Sequence, residues 1–306
     1  MEFFSLENKF SLSDFGLSGI DLQTINQEFN SIAEFRSLRD DALTFFDGSV
    51  SIGLKSNKSK ALILVSHATQ EALKSLYPSA RLVIVDDPRS IFIGILDQCI
   101  ARSLLSCSSK FPSQPKISKN VKIGKDAVIE DAVQIDDGVN VGSGAIIKSG
   151  TWLKSNVTVG ENTVIGGVGI NLHIGISDGI RHRFPHIAGV IIDEGASIGA
   201  NAVVVRGTLR STLIGKDSII SNLCNIGHCV SIGKEVWVSS GTTIGGYCLI
   251  GRNTNIGMNA VIKNGVSIGD KANVGMGAVV IKSVGDAESV FGNPARKVRF
   301  LKSGPN

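Results

Sequence analysis

The chain has 306 residues, a formal net charge of +4, and 42% hydrophobic against 19% charged residues. This composition excludes a disordered chain, and its mild, dispersed positive charge predicts no nucleic-acid binding. Since no apolar run reaches membrane-span length and the first ten residues lack the basic start of a secretory signal, we expect a cytoplasmic protein without stable membrane insertion.

Residues 1–112 predict a small α/β domain, a possible nucleotide-binding module. Two short apolar runs, at 61–65 and 82–85, are typical of buried strands. Residues 90–105 repeat their apolar side chains at helical spacing, which favours a helix. The stretch SCSSKFPSQPK then breaks all periodicity, so the domain boundary is expected near residue 112.

From residue 113 to 285, a branched aliphatic residue or leucine recurs at every sixth position. Nine such residues occur from Ile117 to Ile165, three from Ile192 to Val204 and, after a slip of four residues, twelve from Ile214 to Val280. A six-residue period is typical of a parallel β-helix, in which each hexad supplies one short strand and one turn. The sequence therefore predicts a mainly β protein with a solenoid at 113–285, an insertion at 167–189 and a tail at 286–306.

The repeated pattern [LIV]-G-x-x-x-x resembles the left-handed β-helix of the bacterial hexapeptide acyltransferases. Over most of the chain, SLRDDALTFF and ANAVVVRGTLRSTLIGKDSIISNLCNIGHC resemble UDP-3-O-acylglucosamine N-acyltransferases. From about Ile214 onward, IGHCVSIGKEVWVSSGTTIGG and the ending GNPARKVR resemble acetyl-CoA-dependent transferases of nucleotide-linked amino sugars. The resemblance implies coils of eighteen residues, a homotrimer and active sites between neighbouring subunits.

The resemblance also implies a reaction. Its main form is transfer of an acyl group, expected to be acetyl, from acyl-CoA to the amine of a UDP- or dTDP-linked amino sugar, for surface polysaccharide or lipopolysaccharide synthesis. The alternative is an acyl-carrier-protein-dependent UDP-3-O-acylglucosamine N-acyltransferase of lipid A synthesis. A zinc β-helix of the carbonic anhydrase type and a non-catalytic scaffold also stay open, although we expect no metal, because the histidines of the insertion flank a proline in an irregular loop.

Acyl transfer to an amine needs a base for the amine proton and a donor for the oxyanion. His228 follows a corner glycine in NIGHC and matches the catalytic histidine of both resembled groups. One eighteen-residue coil further along lies Gly246, which is expected to stack about 4.8 Å away and to offer its backbone N–H to the oxyanion. Cys229 is interpreted as incidental, and the five cysteines as reduced thiols.

Further site residues follow from the resemblance. Phe45 matches an apolar anchor near a uridine base, but the Asn and Tyr expected three and six positions later are Gly48 and Ser51. Cations of the insertion are expected either to bind a pyrophosphate or only to solvate a loop. The expected cofactor-binding residues are Gly246, Lys282, Asn293, Pro294 and Arg296, and the expected substrate-binding residues are Phe45, Arg181, Arg183, His186, Asn222 and Asn225.

Overall fold

The computed structural model describes residues 4–16, 26–35, 38–48, 58–107, 112, 114–176 and 178–298. The chain divides into two compact units. The N-terminal unit comprises Met1–Lys110 and Ile170–Pro185, and the β-helix unit comprises Phe111–Gly169 and His186–Asn306. Most of the insertion thus belongs to the N-terminal unit. None of the described helices has the length and apolar character needed to cross a membrane.

The N-terminal unit contains a mixed sheet with helices. In chain order its elements are β1 (Phe4–Ser11), a 3₁₀ helix (Leu12–Phe15), β2 (Glu28–Ile32), β3 (Ala42–Phe46), β4 (Leu62–Val65), α1 (His67–Leu76), β5 (Arg81–Ile84), α2 (Pro88–Ala101) and β6 (Leu105–Cys107). The sheet order is β5-β4-β3-β2-β1-β6, in which β2 to β5 run parallel and β1 is antiparallel to both of its neighbours. The two apolar runs of the sequence form β4 and β5, and the helical repeat forms α2.

The β-helix unit is built from short parallel strands on three faces. The first face holds β7 (Lys116–Ile117), β10 (Gln134–Ile135), β13 (Thr151–Leu153), β18 (Val190–Ile192), β21 (Thr212–Ile214), β24 (Ser231–Ile232), β27 (Leu249–Ile250) and β30 (Ser267–Ile268). The second face holds β8 (Lys122–Ile123), β11 (Asn140–Val141), β14 (Thr158–Val159), β19 (Ser197–Ile198), β22 (Ile219–Ile220), β25 (Trp237–Val238), β28 (Asn255–Ile256), β31 (Asn273–Val274), β33 (Ser289–Phe291) and the antiparallel β34 (Arg296–Lys297). The third face holds β9 (Val128–Ile129), β12 (Ile146–Ile147), β15 (Val164–Gly167), β20 (Val203–Val205), β23 (Asn225–Ile226), β26 (Thr243–Ile244), β29 (Val261–Ile262) and β32 (Val279–Val280).

The strand register has the eighteen-residue period that three hexads per coil require. Ile135 pairs with Ile117 on one side and Leu153 on the other, and Ile226 pairs with Ile244 in the same way. From Ile135 onward, the aliphatic residue that marks each hexad points inward and is almost fully buried, which creates a continuous core along the solenoid. The prediction of a mainly β solenoid is therefore confirmed, and each coil buries its apolar residues against its neighbours.

The insertion forms an antiparallel hairpin of β16 (Leu172–Ile174) and β17 (Arg181–Arg183), which we call the insertion hairpin. Asp87, the N-cap of α2, holds it within the N-terminal unit. Both carboxylate oxygens of Asp87 lie 3.0 Å from His173 Nε2, and Oδ2 accepts a hydrogen bond of 2.8 Å from the Ile176 N–H. Burial acts to raise the pKa of Asp87, but these bonds and those from Ser90 outweigh it, so the pKa lies well below its usual range.

Aromatic packing and a second polar contact complete this docking. Phe184 at the end of the hairpin lies 6.0 Å from the ring of Phe45 on β3 and 6.0 Å from that of Phe92 on α2. The Arg89 guanidinium donates to Asn171 Oδ1 at 2.9 Å. The insertion hairpin is thus held by contacts with residues more than eighty positions away in the sequence.

Candidate active site

His228 lies in the turn between β23 and β24, where its side chain is packed between two other rings. The centroid of its imidazole is 5.2 Å from that of His186 and 5.0 Å from that of Tyr247, and both partner rings are nearly perpendicular to it. The Tyr247 N–H donates to the His228 carbonyl at 2.8 Å. His228 is only 8% exposed, so its ring has a defined orientation at the wall of the β-helix.

Gly246 lies directly beneath the His228 ring. A Cβ added to Gly246 would lie 2.5 Å from His228 Cε1 and 2.6 Å from Nε2, closer than any real Cβ contact. The imidazole therefore occupies the space that a side chain at 246 would need, which explains why this position is glycine. The same arrangement places the backbone of Gly246 beside the imidazole.

Gly246 occupies the turn position directly after a corner glycine, Gly245. At three other corners, the residue directly after the turn glycine donates to a side-chain oxygen of the next coil. These bonds run from Ala200 to Asn222 at 2.9 Å, from Arg252 to Asp270 at 3.0 Å and from Asp270 to Asp286 at 2.8 Å. Gly246 follows Gly245 in the same way, and Asn264 Oδ1 lies above Gly245. The role of the Gly246 N–H as the oxyanion donor stays a prediction.

Three residues near His228 are not among the site residues predicted from the sequence, namely Thr208, Arg210 and Tyr247. The hydroxyls of Tyr247 and Thr208 lie 2.9 Å apart, and the Arg210 guanidinium lies 5.8 Å from the centre of the Tyr247 ring. The eighteen-residue step from His228 leads to Gly246. Tyr247 is the next residue, so this step does not identify it. Thr208 and Arg210 lie in the four-residue slip, where that step no longer applies.

Cys229 is fully buried beside His228. Its Sγ accepts a hydrogen bond of 3.2 Å from the Thr208 N–H, and its own N–H donates to Thr212 Oγ1 at 3.0 Å. Elsewhere, burial raises the pKa of Cys99 and Cys248 to about 11, which keeps both thiols protonated at neutral pH. Cys229 is thus packed at this corner, and its interpretation as incidental to the chemistry stays a prediction.

Among the expected substrate-binding residues that belong to the β-helix unit, His186 is the one whose ring packs against His228. Asn225 lies exposed on the third face at β23, and Asn222 accepts the Ala200 N–H at the corner before it. Arg181 and Arg183 are exposed on β17 in the N-terminal unit. Phe45 lies in the same unit, where its ring packs 4.9 Å from that of Phe92. The binding roles of all these residues stay predictions.

The expected cofactor-binding residues other than Gly246 lie at the C-terminal end of the β-helix unit. Lys282 follows β32, and Asn293 and Pro294 lie between β33 and β34. Arg296 pairs with Phe291 across these two strands, and all four residues of the set are exposed. Their role in binding a cofactor stays a prediction. Among the described residues, no group of three or more His, Cys, Asp or Glu side chains is arranged to hold a metal ion.

Comparison with known proteins gives matches to repeats, to short segments of enzymes and to one fold. Residues 114–149 match the model described as "Bacterial transferase hexapeptide (six repeats)", and residues 248–282 match the "Hexapeptide repeat of succinyl-transferase". UDP-3-O-acylglucosamine N-acyltransferase 2 of Nitrobacter winogradskyi is 38% identical over 50 residues, which are 16% of this chain and 15% of that protein. The UDP-3-O-acylglucosamine N-acyltransferase of Paracoccus denitrificans is 46% identical over 46 residues, which are 15% and 13% of the two chains. The matched segments thus span about one seventh of these relatives.

The structural comparison extends further along the chain. The crystal structure of the UDP-N-acetylglucosamine acyltransferase of Francisella novicida matches with a TM-score of 0.54 and 21% identity, over 61% of this chain and 66% of that one. This likeness concerns the fold, and it confirms the predicted left-handed parallel β-helix. The chain therefore contains hexapeptide repeats that form a left-handed β-helix, and short segments of it are similar to UDP-3-O-acylglucosamine N-acyltransferases.

Proposed function

We propose that this protein is an N-acyltransferase that moves an acyl group from a thioester donor to the amine of a UDP-linked amino sugar. The observation that carries the proposal is the buried His228 imidazole, held over the backbone of Gly246 at a corner of a hexapeptide β-helix. The N-acyltransferase names of the two matched relatives support an amine acceptor of the UDP-3-O-acylglucosamine class. That acceptor agrees with the alternative stated from the sequence.

The geometry supports direct transfer. The amine nitrogen attacks the thioester carbonyl carbon, and His228 takes the proton that the amine loses. The Gly246 N–H stabilises the oxyanion that forms on the carbonyl oxygen. When the C–S bond breaks, the protonated imidazole returns its proton to the leaving thiolate, so the products are an amide and a free thiol. The step needs no covalent enzyme intermediate and no redox partner.

The donor and the assembly follow from the resemblance. In the resembled lipid A enzymes the donor is acyl carrier protein, whereas acetyl-CoA, with Lys282, Asn293, Pro294 and Arg296 near it, is the donor implied by the ending of the chain. A homotrimer acting in the cytoplasm, in lipopolysaccharide or O-antigen synthesis, belongs to the same proposal. The His228 imidazole serves as base with either donor.

The first test is a thiol-release assay with the full chain. Acyl carrier protein and CoA, each carrying acetyl or longer acyl groups, are offered with UDP-3-O-acylglucosamine and with other UDP- and dTDP-linked amino sugars. We expect turnover with a UDP-linked acceptor, and His228→Ala is expected to lower kcat by about 10²- to 10⁴-fold, the usual contribution of a general base.

His67→Ala, at an exposed histidine of α1, is the matched control and is expected to leave kcat unchanged. Full turnover of the His228→Ala variant would remove His228 from the mechanism. No turnover with any donor and acceptor pair would overturn the proposed reaction.

A further inference from the structure

Thr208 connects the segments that surround His228. Its side-chain oxygen lies 2.9 Å from the Tyr247 hydroxyl and 3.2 Å from Cys229 Sγ. Its N–H donates to the same sulfur at 3.2 Å, and its carbonyl accepts the N–H groups of Ile187 and Ala188, each at 3.0 Å. One buried residue thus joins the Tyr247 side chain, the residue after His228 and the two residues after His186.

These connections bear on the orientation of the base. The His228 ring packs edge to face against the His186 and Tyr247 rings, so the positions of those two rings limit how the imidazole can turn. Thr208 bonds to Tyr247 directly and fixes the backbone that leads from His186. A base acts efficiently only when its nitrogen is held at the right place and angle relative to the reacting proton.

The four-residue slip explains how Thr208 reaches this place. Apart from the insertion between β15 and β18, the described coils pass from the third face to the first through a short turn, but the extra residues after Val205 form a loop that carries Thr208. Thr212 Oγ1 closes the loop by donating to the Val205 carbonyl at 2.7 Å, after which β21 resumes the register. The interruption of the repeat therefore places the Thr208 hydroxyl beside the Tyr247 hydroxyl and Cys229 Sγ.

We propose that Thr208 is a positioning residue for acyl transfer, which acts through Tyr247 and His186 to hold the His228 imidazole. The inference rests on the proposed function, since it assigns a role within the same site. Thr208 is 1% exposed, so its effect passes through the neighbouring rings and not through contact with substrate.

The test compares three variants in the thiol-release assay, with the donor and acceptor pair that the wild type uses. Thr208→Val keeps the shape and backbone bonds but removes the hydroxyl, and we expect kcat to fall by about ten- to a hundredfold with KM unchanged. Thr208→Ser restores the hydroxyl and should return kcat to within about twofold of the wild type. Thr254→Val is the matched control, because it removes another buried hydroxyl, one that donates to the Gly269 carbonyl at 2.8 Å.

A double-mutant cycle separates positioning from general damage. If Thr208 acts through the imidazole, Thr208→Val should cause no further loss of kcat in the His228→Ala background. An equal loss in both backgrounds, or a loss no larger than that of Thr254→Val, would overturn the proposal.

A measurement made without substrate distinguishes failure of the positioning role of Thr208 from failure of the proposed acyl-transfer reaction. The ¹H and ¹⁵N resonances of the His228 imidazole, assigned by their absence in His228→Ala, should shift in Thr208→Val and stay in place in Thr254→Val. Unchanged imidazole resonances in Thr208→Val would refute the positioning role, whatever the activity. Shifted resonances together with silence of every donor and acceptor pair would support that role and overturn the proposed reaction.

Discussion

The two units of the molecule differ in how far apart in the sequence their hydrogen-bonded residues lie. In the β-helix unit, hydrogen bonds recur between residues about eighteen positions apart, and the His228 ring lies over the residue one coil further along the chain. In the N-terminal unit, Asp87 bonds to His173 and Ile176 across 86 and 89 positions. A regular solenoid builds a site from neighbouring coils, whereas the insertion hairpin is held by a few long-range contacts, among them the hydrogen bonds to the Asp87 carboxylate.

The largest effect that tests this comparison is expected at Gly246. Because a Cβ there would meet the imidazole at 2.5 Å, Gly246→Ala should push the His228 ring out of place. A displacement of about 1 Å at a reacting group can lower the rate by about 10²-fold, and we expect kcat to fall by that order while the coils remain folded. The thiol-release assay and circular dichroism measure the two quantities.

The matched control is Gly167→Ala at the end of β15. An added methyl group there meets only Val164 Cγ1 at 3.5 Å, an ordinary contact. If Gly246→Ala kept wild-type kcat, the close stacking of residues 228 and 246 would not matter for catalysis, and the coil-to-coil account of the site would be wrong.

The next effect is expected in the N-terminal unit, at Asp87. Asp87→Asn keeps the shape of the side chain but removes the charge that His173, Ile176 and Ser90 share. Hydrogen bonds to a charged group contribute about 1.5–3 kcal/mol, so we expect the insertion hairpin to be held less tightly by about 2 kcal/mol. Hydrogen exchange of residues 170–185, followed by mass spectrometry, measures this loss directly.

The lowered pKa of Asp87 determines how the stability difference between wild type and Asp87→Asn changes with pH. The folded-state pKa is lowered, so the carboxylate stabilises the folded state above its unfolded pKa of about 4, and this stabilisation is lost as the pH falls below that value. Wild type and Asp87→Asn should therefore converge in acid. Asp178→Asn, which changes the half-exposed partner of His182, is the control and should cost less than about 1 kcal/mol. Equal effects of the two substitutions would show that Asp87 does not hold the hairpin.

The same contrast explains what the sequence could predict. The hexad register is visible in the sequence, and it was enough to place the solenoid, the His228 corner and Gly246 beneath it. The role of Thr208 could not be predicted, because the extra residues around it break the register that relates positions in the sequence to neighbours in space. The contact between His173 and Asp87 could not be predicted from the sequence for a different reason, because the hairpin and the helix are far apart in the chain and no repeat relates them. Phe45, expected near a uridine base, lies against Phe92 and Phe184, and its binding role stays a prediction.

The smallest expected effect concerns Asn222 in the β-helix unit. It distinguishes a hydrogen bond between two coils from a contact with the substrate. Asn222 accepts the Ala200 N–H at 2.9 Å, just as Asp286 accepts the Asp270 N–H at 2.8 Å at another corner. Asn222→Ala and Asp286→Ala should each lower the free energy of unfolding by about 1 kcal/mol, measured by urea denaturation. Since the side-chain oxygen of Asn222 is already engaged, we expect an unchanged KM for the acceptor in both variants. A rise in KM confined to Asn222→Ala would instead show that this side chain contacts the substrate, as the sequence predicts. A side chain that forms a hydrogen bond between two coils would then also take part in substrate binding.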